Sequence, residues 1–95
     1  MIKSWSDAAW EDFEYWMKQD KKTLRRILQL LKDIDRNRYD GLGKPERLSG
    51  DLAAYWSRRI DGSNRIVYRI EDNVIKIVQC GSHYRDKYFK QRSVI

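Results

Sequence analysis

The first pattern along the chain is helical. Ala9, Phe13, Trp16 and Met17 recur at i, i+4, i+7 and i+8, which lines one face of a helix. Ser6 precedes them as an N-cap, and acidic Asp7 beside it suits the positive end of the helix dipole. A second apolar stripe follows Asp20, itself a capping residue: Leu24, Ile27, Leu28, Leu31 and Ile34. The bordering Lys21, Lys22, Arg25, Arg26 and Lys32 read as a solvated face. Asp40-Gly41-Leu42-Gly43-Lys44-Pro45 carries two glycines and the only proline, and closes the helical part with a loop.

Beyond that loop the period drops to two. Tyr55 to Ile60 reads as a strand, Asp61-Gly62-Ser63-Asn64 as a hairpin turn, and Arg65 to Ile70 as the returning strand. Ile66, Tyr68 and Ile70 fall on one face; Arg65, Val67 and Arg69 fall on the other. After a second turn at Glu71-Asp72-Asn73, Val74 to Cys80 is apolar on both faces apart from Lys76 and Gln79, as in a central strand. Ile2 to Trp5 adds a short strand before the first helix. The expected fold is α+β, with two N-terminal helices packed on one face of a small, mainly antiparallel sheet. The helices need the face of Ile66, Tyr68 and Ile70, which leaves the opposite face to arginines. Arg59 shares that side with Tyr55 and Ser57, and Arg65 emerges on it just past the hairpin turn. Like charges brought together repel. The pair either meets an anionic partner or lies on a wet sheet face, and the pattern alone leaves both open.

Composition narrows the classes. The 95 residues make one domain. No apolar run approaches the ~18 to 20 residues of a membrane span. Four Trp, six Tyr and two Phe are too large a burial reserve for a disordered chain. The net charge of +6 is uneven: residues 1–40 hold nine basic and eight acidic side chains, residues 41–95 eleven and six. A polyanion would therefore meet the second part. One Cys and one His offer no zinc cluster, and no metal or other cofactor is expected. Cys80, inside an apolar run, reads as a buried thiol. The N-terminus lacks the apolar core of a signal peptide, and a cytoplasmic location is expected.

Three residue types could carry chemistry. His83, the only histidine, follows the last strand in Gly81-Ser82-His83-Tyr84 and has a reference pKa of ~6.5, suited to giving and taking a proton. Glu46 is an acidic residue in the basic part of the chain. With arginine they suffice for RNA cleavage without a metal: carboxylate takes the 2′-hydroxyl proton, imidazolium protonates the leaving 5′-oxygen, and guanidinium stabilises the phosphorane. Each residue also has a plain reading: a loop glutamate, an incidental histidine, a solvated arginine.

Four segments together resemble the YoeB family of toxins, within the RelE/ParE superfamily of bacterial toxin–antitoxin modules. They are Gly43-Lys44-Pro45-Glu46, Tyr55-Trp56-Ser57-Arg58-Arg59-Ile60, Arg65-Ile66-Val67-Tyr68 and Cys80-Gly81-Ser82-His83-Tyr84. Trp5-Ser6 and the Trp10 to Trp16 region are similar too, so the likeness covers Met1 to Tyr84. It implies a RelE/ParE-like, microbial-RNase-like fold over residues 1–84, followed by a basic tail, 85–95. It also implies a ribosome-dependent mRNA endoribonuclease that cuts A-site mRNA, needs no cofactor, and is inhibited by a YefM/Phd-type antitoxin. Glu46 would be the general base, His83 the general acid, Arg65 the transition-state stabiliser and Tyr84 the residue that positions the nucleotide. Arg59, Lys44 and Arg58 would bind RNA or phosphate. Partners would be the antitoxin, mRNA and the ribosome with its RNA; a homodimer belongs to the family's repertoire, and no membrane is involved.

Two departures qualify this. The family often has a lysine three residues after the loop glutamate, where this chain has Ser49, and nearby Arg47 is a candidate replacement. Family members commonly stop near the His-Tyr pair, whereas this chain runs on to Ile95 with four basic residues against one acidic after Tyr84. The alternative to an enzyme is a non-catalytic ParE-like toxin, or an RNA- or partner-binding module on the same fold.

Overall fold

Capping side chains start both helices. Ser6 Oγ accepts the Ala9 N–H and begins α1 (Asp7–Gln19). One carboxylate oxygen of Asp20 accepts the N–H groups of Lys22 and Thr23 and begins α2 (Lys21–Asn37). The strands are β1 (Ile2–Trp5), β2 (Glu46–Arg47), β3 (Trp56–Arg59), β4 (Arg65–Glu71) and β5 (Val74–Gly81). These come from a computed structural model that describes residues 1–82. His83, Tyr84 and the 85–95 tail lie outside the described residues.

The sheet runs β1-β5-β4-β3-β2 and is antiparallel except for the parallel β1/β5 pair. That pair can be parallel because a long connection, both helices and the strands β2 to β4, separates its members in sequence. Ala9 from α1 and Ile27, Leu30, Leu31 and Ile34 from α2 pack on Ile66, Tyr68, Ile75, Ile77 and Cys80. The expected α+β arrangement is thus observed, and Cys80 is a buried thiol.

Local readings shift in three places. Met17 is exposed, and Asp12 is buried on α1 in its stead. In α2 the buried stripe is Ile27, Leu30, Leu31 and Ile34, one residue round from the expected face, so Leu28 points outward. Glu46–Arg47 forms a two-residue strand that no periodicity could announce.

Arg58 requires a correction. Expected to bind phosphate, it has no exposed surface. Alternation turns it inward with Trp56 and Ile60, away from Arg59. All five of its N–H groups are occupied. Nε donates to the Tyr68 hydroxyl at 3.1 Å, and Nη1 to Asp33 Oδ2 at 2.5 Å and the Leu42 carbonyl at 2.8 Å. Nη2 donates to the carbonyls of Arg38 at 2.9 Å and Asp40 at 2.6 Å. Tyr68 Oη in turn donates to the Arg38 carbonyl at 2.8 Å. Arg58 therefore fastens the C-terminus of α2 and the loop after it to the middle of the sheet.

The Arg58 guanidinium and the N–H of Leu42 hold the Asp33 carboxyl below its ordinary range, against the opposing effect of burial. Replacing Arg58 with Met should cost about 3–5 kcal/mol, because the Asp33 carboxylate loses its cationic partner and the carbonyls of Asp40 and Leu42 lose their side-chain donor. Urea denaturation measures it. Because the folded pKa of Asp33 is depressed, its contribution is complete above the unfolded value of about 3.9 and is lost as pH falls through the folded value. Asp33→Asn should accordingly flatten the decline of the urea midpoint below about pH 4; an unchanged slope would count against this account.

Candidate functional site

Strand register builds the site. Across the face on which no described helix packs, Glu46 lies opposite Ser57, Ser57 opposite Val67 and Val67 opposite Gln79. The next row places Arg59 opposite Arg65 and Arg65 opposite Gly81. The two arginines are therefore direct cross-strand neighbours, as alternation indicates. Arg65 Nη1 stands 3.6 Å from Glu46 Oε1, forming an ion pair in which the glutamate is 63% exposed and the arginine 28%. At that distance and exposure the pair is weak and readily opened.

The row reaches Gln79 only through a bulge. Val67 pairs with Gln79 and Tyr68 with Ile77, so Val78 is an extra residue in β5. Before it, Ile75 and Ile77 face the helices; after it, Cys80 does, and Gln79 turns to the site face. Sequence alternation alone cannot show this change of phase. Arg69 is a third arginine on the site face, its guanidinium 5.5 Å from the centroid of the Tyr55 ring. Ser57 Oγ, Gln79 Nε2 and Arg69 Nε, all belonging to this face, are buried without a hydrogen-bond partner. Such groups call for an explanation, and a functional surface is one.

The loop that brings Glu46 here is held by its own backbone. Gly43 has φ +79° and its carbonyl accepts the Arg59 N–H at 2.6 Å. A Cβ on Gly43 would stand 3.0 Å from the Arg59 carbonyl oxygen. Lys44 follows, also at positive φ (+50°), exposed at the loop surface. Pro45 then leads into β2. Arg47 does not replace the missing lysine at Ser49. It lies opposite Trp56, on the other face from Glu46, and its Nε donates to the Ala53 carbonyl at 3.2 Å.

The structure thus brings Glu46, Arg59 and Arg65 together, leaves Lys44 at the rim and withdraws Arg58. His83 and Tyr84 follow Ser82 in sequence and fall outside the described residues. Among the described residues no three His, Cys, Asp or Glu side chains form a metal-holding group, and no helix is long and apolar enough to cross a membrane.

Residues 5–84 match the model of the YoeB-like toxin of bacterial type II toxin–antitoxin systems. The chain belongs to the YoeB-like toxin family. It is 49% identical to a YoeB toxin of Mycobacterium bovis over 76 residues, 80% of this chain and 89% of the relative. It is 41% identical to the YoeB toxin of Escherichia coli K12 over 80 residues, 84% and 95% of the two chains. Among solved structures, a YoeB/ParE toxin from Agrobacterium tumefaciens superimposes with a TM-score of 0.85 at 40% identity, covering 88% of this chain and all of the other. The toxin in a YoeB–YefM complex from Staphylococcus aureus does so with 0.84 at 46%, covering 88% and 98%. The more distant YafQ from E. coli, at 15% identity and a TM-score of 0.66, shares the fold. Within this YoeB-like chain, the backbone tie between Gly43 and Arg59 should be needed to seat Glu46. Gly43→Ala is expected to cost about 1–3 kcal/mol and to expose the Arg59 amide to rapid hydrogen exchange; undiminished protection of that amide would refute the tie.

Proposed function

We propose that this protein is a ribosome-dependent mRNA endoribonuclease, the toxin of a type II toxin–antitoxin pair, cutting mRNA in the ribosomal A site and so arresting translation. The observation that carries the reading is the exposed Glu46 carboxylate beside the Arg65–Arg59 pair on one sheet face, in a chain of the YoeB-like family. On that surface a phosphate meets two guanidinium groups, and a carboxylate lies within side-chain reach of Arg65.

Glu46 takes the proton from the ribose 2′-hydroxyl, and the freed oxygen attacks the adjacent phosphorus. Arg65 offers N–H groups to the charge that develops on the phosphorane. Arg59, opposite Arg65, binds phosphate and so sets the position of the backbone, with Lys44 at the rim of the same surface. His83, the next residue after Ser82, protonates the leaving 5′-oxygen, and Tyr84 stacks on or hydrogen-bonds the nucleotide being cut. The strand leading to them ends at Gly81, which is paired with Arg65.

Residues 1–84 form the toxin domain, with 85–95 a basic extension of it. The natural inhibitor is a YefM/Phd-type antitoxin, in keeping with the YoeB–YefM complex among the solved relatives. An acidic antitoxin segment lying over the arginines would neutralise the surface that takes RNA. A homodimer accords with a solved YoeB dimer from S. aureus.

In vitro translation with mapping of mRNA ends tests the reading. Wild-type protein should leave cuts at A-site codons, while Glu46→Ala and His83→Gln should each lower the cleavage rate about 10²- to 10⁴-fold with circular dichroism unchanged. Translation arrest without cut mRNA, or DNA damage on expression in a bacterium, would favour a non-catalytic ParE-like toxin.

A further inference from the structure

The sheet runs out of backbone partners on one side of β5. β1 pairs with Val74 to Ile77 and stops, while β5 continues to Gly81. A strand edge left bare presents unpaired N–H and C=O groups. Side chains of α1 and its cap take the place of a longer β1. Ser6 N–H donates to the Ile77 carbonyl at 2.9 Å, and Ser6 Oγ donates to the Val78 carbonyl at 3.0 Å while accepting the cap bond from Ala9. Trp16 Nε1–H donates to the Cys80 carbonyl at 2.8 Å, and Asp12 Oδ2 accepts the Cys80 N–H at 3.1 Å. Asp12 and Trp16 are four residues apart, one above the other on the helix. Between them they hold both backbone polar groups of a single residue. The fit is close: a Cβ on Gly81 would stand 3.2 Å from the Asp12 carboxylate.

On the other side, β4 begins at Arg65, whose partner is Gly81, so the ladder ends there too. The described ties thus hold the end of β5 at Cys80, three residues before His83 and four before Tyr84 in sequence. We propose that Asp12 and Trp16, assisted by Ser6, are positioning residues for the catalytic segment. They act on the reaction through the aim of His83 and Tyr84 and do not touch RNA. This rests on the reading of His83 as the general acid. A buried N–H facing a carboxylate makes a charge-assisted bond, stiffer than a neutral one, and an acid must be placed closely to be effective.

Single-turnover cleavage of mRNA in stalled translation complexes, at saturating ribosome, tests the inference on the full chain. Trp16→Phe keeps the ring and loses the N–H; Asp12→Leu keeps the volume and loses the acceptor. Each should lower the rate about 10- to 100-fold, the scale of a misplacement near 1 Å, with ribosome binding unchanged. Asp12→Asn keeps an acceptor but loses the charge, and its rate should fall between those of the wild type and Asp12→Leu. In a His83→Gln background, Trp16→Phe should cost clearly less than it does alone, since the part of its effect that runs through His83 is already lost. Additive losses, or weakened ribosome binding at an unchanged rate, would assign these residues a structural role only and overturn the inference. If Asp12→Leu fails to fold, Trp16→Phe decides alone. An inactive His83→Gln beside a full-rate Trp16→Phe overturns this inference and spares the acid assignment. A His83→Gln protein that cuts at the wild-type rate overturns that assignment and the positioning role with it.

Discussion

A guanidinium with no exposed surface must give every N–H an acceptor, or its burial costs several kcal/mol. Arg58 meets that condition with one carboxylate, one hydroxyl and three carbonyls drawn from α2, the loop after it and β4. The three carbonyls, of Arg38, Asp40 and Leu42, have no regular secondary-structure ladder to pair with. Without Arg58 only the Arg38 carbonyl would keep a side-chain donor, the Tyr68 hydroxyl, and the other two would need water beside the stacked rings of Tyr39, Trp56 and Tyr68. The same guanidinium therefore makes the turn after α2 compatible with a dry core. The loop it secures leads through Gly43 to Glu46, so an interior contact sets where an exposed carboxylate stands.

The two faces of the sheet are built by opposite rules. One is apolar and covered by α1 and α2. The other carries Arg59, Arg65, Arg69 and Lys76 with Glu46, and its buried members include a serine, a glutamine and an arginine nitrogen without partners. The bulge at Val78 lets both rules hold along one strand. It gives Cys80 to the core after Ile75 and Ile77 and turns Gln79 to the site face. A regular β5 would have placed the glutamine among the apolar side chains beneath the helices and turned Cys80 out of the core.

Much of this was legible in the chain. Ser6 and Asp20 cap the helices because a short polar side chain beside an orphan N–H has few better bonds to make. The alternation of Arg65 to Ile70 assigned both faces of β4 and set Arg59 against Arg65. Three things were not legible, each because a long-range contact decides it. Arg58 and Arg59 are the same residue type in adjacent positions, and only the acceptors gathered from residues 33 to 42 separate a buried anchor from a surface charge. Parity did carry a signal, since Arg58 shares the side of Trp56 and Ile60. The bulge leaves no mark in an apolar run such as Val74 to Cys80. Asp12 replaces Met17 on the inner side of α1 because a carboxylate is needed by the Cys80 N–H, a requirement written some seventy residues away.

The arginine pair explains why such a surface persists. Arg59 and Arg65 face each other directly, an arrangement that destabilises a sheet, and the single glutamate nearby offsets it only through a long, solvated ion pair. A fold selected for stability alone would place an acidic or neutral residue at one of the two positions. On the proposed function, a phosphate between the guanidinium groups would relieve the repulsion, so part of the energy of that contact would already be stored in the free protein. Such storage is useful only if the loop and strand beneath cannot relax. Gly43 tied to Arg59 from one side and Cys80 tied to α1 from the other keep them from doing so. The rigidity of the ties and the strain of the charges are thus two parts of one arrangement, since a backbone free to shift would let the guanidinium groups move apart.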